Sequence, residues 1–231
     1  MTLTTPRYAL SIALMLISST LLAEDTAKSI FNGKDLTGWK GNTELWKVED
    51  GAITGTTTAE KPLKFNTFLI WEGKVADFEL ELDYKISGSR GNSGIQYRSK
   101  IIRAEDFVVG GYQADIDVTL TFAGINYEEK GRGKLTNGRG ERVTIAKNGK
   151  RTTEKFADAK ELGKKIKTGE WNHYKVTAKG NTLSHYINGV LMAEVIDDQE
   201  GKASSEGVLA FQIHQGPPMQ VQFKNVMLTE H

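Results

Sequence analysis

The decapeptide DFELELDYKI, residues 77–86, alternates apolar and charged side chains without interruption. Phe78, Leu80, Leu82, Tyr84 and Ile86 share one parity, and the residues between them are acidic or basic. Successive side chains of a β-strand point to opposite faces, so the pattern predicts a strand with one face on a core and the other in water. Burial of one face is typical of antiparallel sheets.

Turn signals divide most of the remaining chain into similar segments. Asp-Gly at 50–51 and Asn-Gly at 148–149 and 188–189 each stand between two strand-like stretches, which predicts three hairpins. Two more strands are predicted at 207–214 and 219–228, and only 157–165 reads as a short helix. Strands joined by short turns predict an all-β fold, a sandwich of two antiparallel sheets, with one domain over residues 24–231.

Composition narrows the class of partner. The 231 residues carry a net charge of +1, which creates no field that would attract nucleic acid or an anionic membrane, so we expect neither as a partner. The hydrophobic fraction of 39% suffices for a globular core. The sequence contains no cysteine, so core burial rather than disulfide bonding must stabilise the fold. No pattern indicates the oligomeric state.

The first 23 residues differ from the rest. Arg7 precedes an apolar run at 9–22, which is too short to span a bilayer and is typical of a signal-peptide core. We expect cleavage near Ala23, export to the periplasm or beyond, and no membrane span in the mature protein. A buried helix or an uncleaved anchor is the alternative interpretation.

A second stretch, GGYQADIDV at 110–118, raises the question of function. Tyr112, Ala114 and Ile116 share one parity, whereas Gln113, Asp115 and Asp117 share the other. The polar row is either a solvated outer face or the floor of a binding site. Polar groups also alternate in GIQYRS (94–99) and AFQIH (210–214), which favours a site.

Two other polar features remain open. The segment YEEKGRG at 127–133 is either a solvated loop or part of the site, and the glycine-rich stretch 130–142, with five Lys or Arg, predicts a long loop. No paired-histidine motif is present. Asp115, Asp117, Glu128 and His214 could supply an oxygen-rich cation site, but their spacing does not establish one, so the cofactor stays undetermined between a divalent cation and none.

The chain also resembles a known family in an ordered set of motifs. SIFNGKDLTGWK (29–40), WKVEDGAITG (46–55), the strand and Gly-Asn-Ser-Gly-Ile turn within 77–99, GYQADID (111–117), EWNHYKVTAKGN (170–181) and the segment 207–228 occur in sequence. Together they resemble the 3-keto-disaccharide hydrolase domain family over residues 29–229. The resemblance implies a concanavalin-like jelly-roll sandwich of two sheets, of which one is concave and binds carbohydrate.

Glucanases that share this fold carry acids at i, i+2 and i+4 of one concave strand, which here are Gln113, Asp115 and Asp117. A neutral amide at the first position is a poor nucleophile, so a covalent glycosyl intermediate is not expected. The resemblance instead implies a substrate with a ketone at C3, which acidifies the C2 proton. A base can then remove that proton, and the enolate expels the group at C1.

This chemistry assigns roles to ten residues. The candidate catalytic residues are Asp115, Glu128 and His214, with Arg98, Arg132 or a divalent cation stabilising the enolate. The candidate substrate-binding residues are Gln96, Arg98, Gln113, Asp117, Tyr127, Arg132 and Gln212.

Three functions stay in competition. The first is cleavage of 3-keto-glycosides, the second is a non-catalytic carbohydrate-binding module, and the third is ordinary glycoside hydrolysis by Asp115 and Asp117. Clustering of Arg98, Asp115, Glu128 and His214 around one pocket would favour an enzyme. A shallow, tryptophan-lined groove without a buried acid would favour a binding module.

Overall fold

A computed structural model describes Met1 and residues 26–231 of the chain. The predicted signal peptide, residues 1–23, lies outside the described residues except for Met1. Within the described residues, no helix combines the length and the apolar character that crossing a membrane requires.

The described residues form seventeen strands and one short helix. In chain order they are β1 (Lys28–Ser29), β2 (Trp39–Lys40), β3 (Trp46–Glu49), β4 (Ala52–Thr56), β5 (Thr67–Trp71), β6 (Phe78–Gly88), β7 (Asn92–Arg103), β8 (Val108–Asp117), β9 (Asn126–Glu129), β10 (Gly133–Lys134), β11 (Glu141–Ile145), β12 (Arg151–Lys155), α1 (Ala159–Gly163), β13 (Asn172–Lys179), β14 (Thr182–Ile187), β15 (Val190–Asp197), β16 (Val208–Ile213) and β17 (Met219–Glu230).

The strands form two sheets, as the all-β prediction requires. The larger sheet has the order β12-β11-β15-β14-β13-β6-β17-β4-β3, with β1 paired to β17, and the smaller has the order β10-β9-β8-β7-β16-β5-β2. All pairings are antiparallel except β11 with β15, because three strands and α1 intervene and return the chain in the same direction. The predicted sandwich is therefore confirmed, with one parallel pair that hairpin signals could not reveal.

The core lies between the two sheets. Phe78, Leu80, Leu82 and Tyr84 of β6 are at most 2% exposed, as the alternation predicts. The two sheets meet where Phe211 of β16 stacks on Phe223 of β17, with ring centroids 4.0 Å apart. Burial of large aromatic side chains from both sheets supplies the principal stabilisation of such a sandwich.

Two of the predicted turns form where aspartate or asparagine is followed by glycine and both residues adopt left-handed backbone. Asp50 and Gly51 connect β3 to β4 with φ values of 49° and 73°, and Asn188 and Gly189 connect β14 to β15 with 51° and 78°. Two positive φ angles in a two-residue turn match the twist of the strands they join. The predicted helix is confirmed as α1, which Asp158 caps by accepting bonds from the amides of Lys160 and Glu161.

Strand β7 carries an irregularity that shapes the smaller sheet. Its pairing with β8 shifts register between Tyr97 and Lys100, and Arg98 within this bulge has φ 45°. The guanidinium of Arg98 is buried, and it donates to the carbonyl oxygens of Ala76 (2.6 Å) and Gly180 (2.7 Å) and to Asp77 Oδ1 (2.7 Å). Arg98 therefore links the bulge of β7 to two segments of the larger sheet, the one that precedes β6 and the turn between β13 and β14.

Replacement of Arg98 by methionine tests this anchor. Arg98→Met keeps the length of the side chain but removes three hydrogen bonds made by a buried charged group, so the free energy of unfolding should fall by about 1.5–3 kcal/mol, as for hydrogen bonds to charged groups. Chemical denaturation measures the change. Arg151→Met, at an exposed position, is the control and should change stability by at most about 0.5 kcal/mol. Equal effects of the two substitutions would contradict the assignment.

Candidate functional site

The polar row of β8 lies on the face of the smaller sheet that points away from the larger sheet. Tyr112, Ala114 and Ile116 pack into the core between the sheets. Gln113, Asp115 and Asp117 therefore project to the outer face, yet they are only 3%, 5% and 5% exposed. The row is therefore not a solvated outer face, which is one of the two arrangements considered from the sequence.

The β7–β8 hairpin reaches back across the outer face of the smaller sheet. Beyond the Arg98 bulge, the hairpin tip returns to β5, where the amide of Phe68 donates to the carbonyl of Phe107 at 3.0 Å. The hydroxyl of Thr67 donates to the carbonyl of Asp106 at 3.0 Å. A second apolar cluster forms on this face from Phe68, Ile70, Val109 and Ala210, with Phe107 and Val208 packed against it.

Beside this cluster, four polar side chains form a directed chain of hydrogen bonds that ends on Asp115. Ser99 Oγ donates to Gln96 Oε1 at 2.7 Å, and Gln96 Nε2 donates to Gln113 Oε1. Gln113 Nε2 then donates to Asp115 Oδ1. Gln212 Nε2 joins at Gln113 Oε1, at 3.1 Å. The structure thus brings together four residues predicted for the site: Gln96, Gln113, Asp115 and Gln212.

Gly94 provides the space in which this chain lies. It stands opposite Asp115 in the β7–β8 pairing, and a Cβ atom at Gly94 would lie 2.5 Å from Gln113 Cδ. Any larger residue would displace the Gln113 amide. Gly94, the second glycine of the Gly-Asn-Ser-Gly-Ile motif, therefore leaves room for the Gln113 amide that donates to Asp115.

Burial raises the pKa of Asp115 well above its usual range. Removal of the carboxylate from water is the largest cause, and the bond from Gln113 opposes it by favouring the charged form. The negative charges of Glu129 and Asp117 raise the pKa further, while Lys134 lowers it. Asp115 is therefore a stronger base than an ordinary aspartate when it is ionised.

Tyr127 and Glu129 flank this carboxyl group from the next strand. In the β8–β9 pairing Tyr127 stands opposite Gln113 and Glu129 opposite Gly111, so both belong to the outer face. Glu129 is 7% exposed and accepts a bond from Asn66 Nδ2 at 3.2 Å. The pKa of Tyr127 is raised by burial and by the charges of Glu129 and Asp115. Glu129 was not predicted, although its parity with Tyr127 is the signal that could have identified it.

Glu128 and Arg132 lie elsewhere, so the expected cluster around Asp115 requires correction. Glu128 stands opposite Tyr112, a core-facing residue, and pairs with Arg132. Arg132 also donates to Asp197 Oδ2 at 2.6 Å, and Asp197 accepts a bond from the hydroxyl of Tyr112. Hydrogen bonds and ion pairs within this group therefore occupy Glu128 and Arg132. Glu128 lies on the face of β9 opposite to Tyr127 and Glu129, because adjacent residues of a strand point in opposite directions.

Arg98 is also absent from the Asp115 cluster. Sequence alternation placed it beside Gln96, but the bulge in β7 shifts the parity after Tyr97 and turns the guanidinium towards Ala76, Asp77 and Gly180. Arg98, Asp115, Glu128 and His214 therefore do not cluster around one pocket, and this discriminating feature of an enzyme is not met. A buried acid, the other discriminating feature, is present in Asp115.

A cavity of about 550 Å³ opens where the polar row ends. Asp117, the next residue after Asp115 on this face, lines it together with His214, which is half-buried just beyond β16. The other lining residues are Arg90, Asn92, Thr119, Thr121, Phe122, Gln215 and Pro217. The volume is in the range of small-molecule sites. The cavity and the Asp115 chain together constitute the candidate site.

The described residues contain no group of three or more His, Asp or Glu side chains placed to hold a metal ion. Asp115, Asp117, Glu128 and His214 do not assemble the oxygen-rich site considered from the sequence, since Glu128 faces away and Asp117 bonds to a neighbouring loop.

Comparisons with known proteins agree with this fold. Residues 26–229 match the model of a family described as the 3-keto-alpha-glucoside-1,2-lyase-like domain. A Parabacteroides distasonis protein assigned provisionally as a glycosyl hydrolase is similar with a TM-score of 0.59 and 24% identity, over 89% of this chain and 94% of that one. A search of the curated proteins finds no match.

Two Bacillus subtilis proteins are also similar in structure. A carbohydrate-binding module has a TM-score of 0.54 and 18% identity, over 84% of this chain and 96% of that one. A protein of unknown function with a galectin-like fold has a TM-score of 0.55 and 9% identity, over 84% and 90%. These likenesses confirm the predicted class of sandwich.

The buried state of Asp115 predicts a pH-dependent stability. A group whose pKa is raised by folding favours the native state below its unfolded pKa, and this contribution is lost as pH rises through its folded pKa. Asp115→Asn, neutral at every pH, should therefore become progressively more stable than the parent as pH rises from about 4. Thermal unfolding of both proteins between acidic and mildly alkaline pH measures this. A fall in the stability of Asp115→Asn relative to the parent as pH rises would contradict a raised pKa of Asp115.

Proposed function

The chain belongs to the 3-keto-alpha-glucoside-1,2-lyase-like domain family, as its ordered motifs predict, and we propose that it is an enzyme that cleaves the glycosidic bond of 3-keto-glycosides. The observation that carries this proposal is a buried carboxyl group, Asp115, with a raised pKa and a fixed donor, two residues along the same face from Asp117, which lines a sugar-sized cavity. The proposal includes export through the signal peptide predicted at residues 1–23.

Asp115 is the proposed base. Its carboxylate takes the proton from C2, and the electrons of the C2–H bond form an enolate whose charge rests on the C3 oxygen. The ketone then re-forms, a double bond forms between C1 and C2, and the bond from C1 to the leaving oxygen breaks. A base with a raised pKa suits the first step, because a C2 proton alpha to a carbonyl is only moderately acidic.

Tyr127 is the proposed proton donor to the leaving oxygen. Burial and neighbouring negative charge hold its phenol protonated, and Asp115 lies close enough to influence the Tyr127 pKa. Water then adds across the C1–C2 double bond. Its hydroxyl goes to C1, the proton held by Asp115 returns to C2, and the remaining proton restores Tyr127, so the net change is hydrolysis.

Ordinary glycoside hydrolysis is less well supported by the geometry. Gln113, at the position of the glucanase nucleophile, is an amide engaged in three hydrogen bonds. Asp117 accepts bonds from the backbone amides of Thr119, Thr121 and Phe122, which weaken a carboxylate as a nucleophile. His214 and Asn92, which line the cavity, are better placed to bind sugar hydroxyls than to form a covalent intermediate.

The substrate decides between the candidate functions. We expect the purified protein to release the leaving group from a 3-keto-glucoside and to leave the parent glucoside intact, because only the ketone acidifies C2. Chromatographic quantification of both incubations measures the result. Equal turnover of the two substrates would identify a conventional glycosidase, whereas sugar binding without turnover would identify a binding module.

The role of Asp115 predicts a second kinetic result. Asp115→Asn should lower the rate on the 3-keto-glucoside by about 10²–10⁴-fold, the usual cost of losing a general base. In the parent, kcat/KM should rise with pH as Asp115 loses its proton, and this limb should be absent from Asp115→Asn. Gln113→Glu should not help, since a second negative charge would raise the pKa of Asp115 further and repel the enolate. Full activity of Asp115→Asn would refute the assignment.

A further inference from the structure

The cavity wall contains a loop, residues 118–124, that joins β8 to β9. Three of its residues, Thr119, Thr121 and Phe122, line the cavity. The loop lies outside the strands, and side chains that flank it add hydrogen bonds to those that its own backbone makes. Two charged residues, Asp117 and Arg139, do this from opposite sides.

Asp117 binds the amide groups of the loop. Its Oδ1 accepts from the amide of Thr119 at 3.0 Å, and its Oδ2 accepts from the amides of Thr121 at 2.8 Å and Phe122 at 3.0 Å. The hydroxyl of Thr119 adds a bond of 2.7 Å to Oδ2. Both oxygens of Asp117 are thus used by its own loop, although the residue also borders the cavity.

Arg139 binds the carbonyl groups of the same loop. Its Nη1 donates to the carbonyls of Leu120 and Ala123, the latter at 2.9 Å, and its Nε donates to the carbonyl of Ala159 in α1 at 3.3 Å. Burial lowers the pKa of Arg139, and the charge of Asp117 opposes that effect. The Asp117 carboxylate therefore accepts from the loop's backbone amides, and the Arg139 guanidinium donates to its backbone carbonyls. The opposite charges of the two side chains also attract each other.

The glycine-rich segment holds Arg139 in this position. Gly140 has φ 80°, and a Cβ atom there would lie 2.2 Å from the carbonyl oxygen of Ala157, so only glycine fits. A Cβ atom on Gly163 of α1 would lie 3.2 Å from Arg139 Nη2, which shows how closely the helix packs on the guanidinium. The part of the predicted long basic loop around Arg139 is therefore held in one conformation by packing.

Phe122 is the aromatic residue of the loop that lines the cavity. Its ring is half-buried, and the ammonium of Lys134 lies 4.9 Å from the ring centroid. A cation over one face of an aromatic ring is attracted to it and restricts the ring. The ring also contributes apolar surface to a cavity otherwise lined mainly by polar groups, an arrangement that suits the apolar face of a sugar.

We propose that Phe122 is a sugar-stacking residue of the substrate cavity and that Arg139, together with Asp117, is a positioning residue that fixes the loop carrying it before substrate binds. The proposal rests on the proposed function for its ligand class, a 3-keto-glucoside, but not for its structural part. A loop already fixed in the free protein loses little conformational entropy when the sugar binds, which favours affinity.

Hydrogen exchange tests the positioning role without any assay of activity. Arg139→Met keeps the length of the side chain and removes its donors, so amides in the peptide covering residues 118–124 should exchange faster than in the parent. Peptides from β6 and β17 should be unchanged. Arg139→Lys, which keeps the charge but not the fork of donors, should be intermediate. Arg103→Met, at an exposed ion pair with Asp106, is the control. Unchanged exchange in Arg139→Met would overturn the positioning role.

Calorimetry of sugar binding tests the stacking role. Methyl 3-keto-glucoside is titrated into Asp115→Asn protein, in which turnover should be about 10²–10⁴-fold slower than in the parent. Chromatography of the sugar after the titration shows whether it is intact, so cleavage, which would count against the catalytic proposal, is distinguished from loss of binding. Adding Phe122→Leu should weaken binding by roughly 3- to 10-fold, the factor that an aromatic contact is worth beyond burial. Adding Arg139→Met should weaken it similarly. Unchanged affinity in Phe122→Leu, or no binding to Asp115→Asn protein with Phe122 intact, would overturn the stacking role.

Discussion

Burial of the Asp115 carboxyl group on the outer face of a sheet is the constraint on which the rest of the site depends. An outer face is normally wet, and a carboxylate there would have an ordinary pKa. Here the β7–β8 hairpin supplies the strand that carries Asp115 and the glutamine that donates to it, and the tip of the hairpin returns across the outer face to β5. The hairpin leaves regular pairing at the bulge of Arg98, where three acceptors bind the buried guanidinium.

Much of the fold and part of the site could be predicted from the sequence because both follow strand alternation. The core face of β6 and the shared face of Gln113 and Asp115 depend only on a period of two, which regular strands preserve. Arg98 could not be placed in this way, because an extra residue in β7 inverts the parity beyond Tyr97 and nothing in the local sequence marks the bulge.

Glu128 and Glu129 illustrate a different limit. Adjacent acids in a four-residue strand differ only in the face they occupy, and that choice depends on pairing with β8 rather than on local composition. Glu129 joins Asp115, whereas Glu128 joins Arg132 and Asp197. Arg139 shows the same limit in a loop, since glycine-rich basic stretches are usually solvated, and only the packing of Gly140 against Ala157 identifies this one as fixed.

The chain of amides from Ser99 to Asp115 has one further consequence, which concerns the movement of protons. Each amide uses its oxygen as an acceptor and its nitrogen as a donor, so the chain has a single direction, and reversing one amide would oppose donor to donor. Glutamine neither gains nor loses a proton at ordinary pH, so the chain holds Asp115 in place but conducts nothing to it. The chain therefore provides no route for proton transfer on this side of the carboxyl group. A proton that Asp115 takes up therefore does not leave through these amides, and in the proposed reaction it returns to the sugar that delivered it.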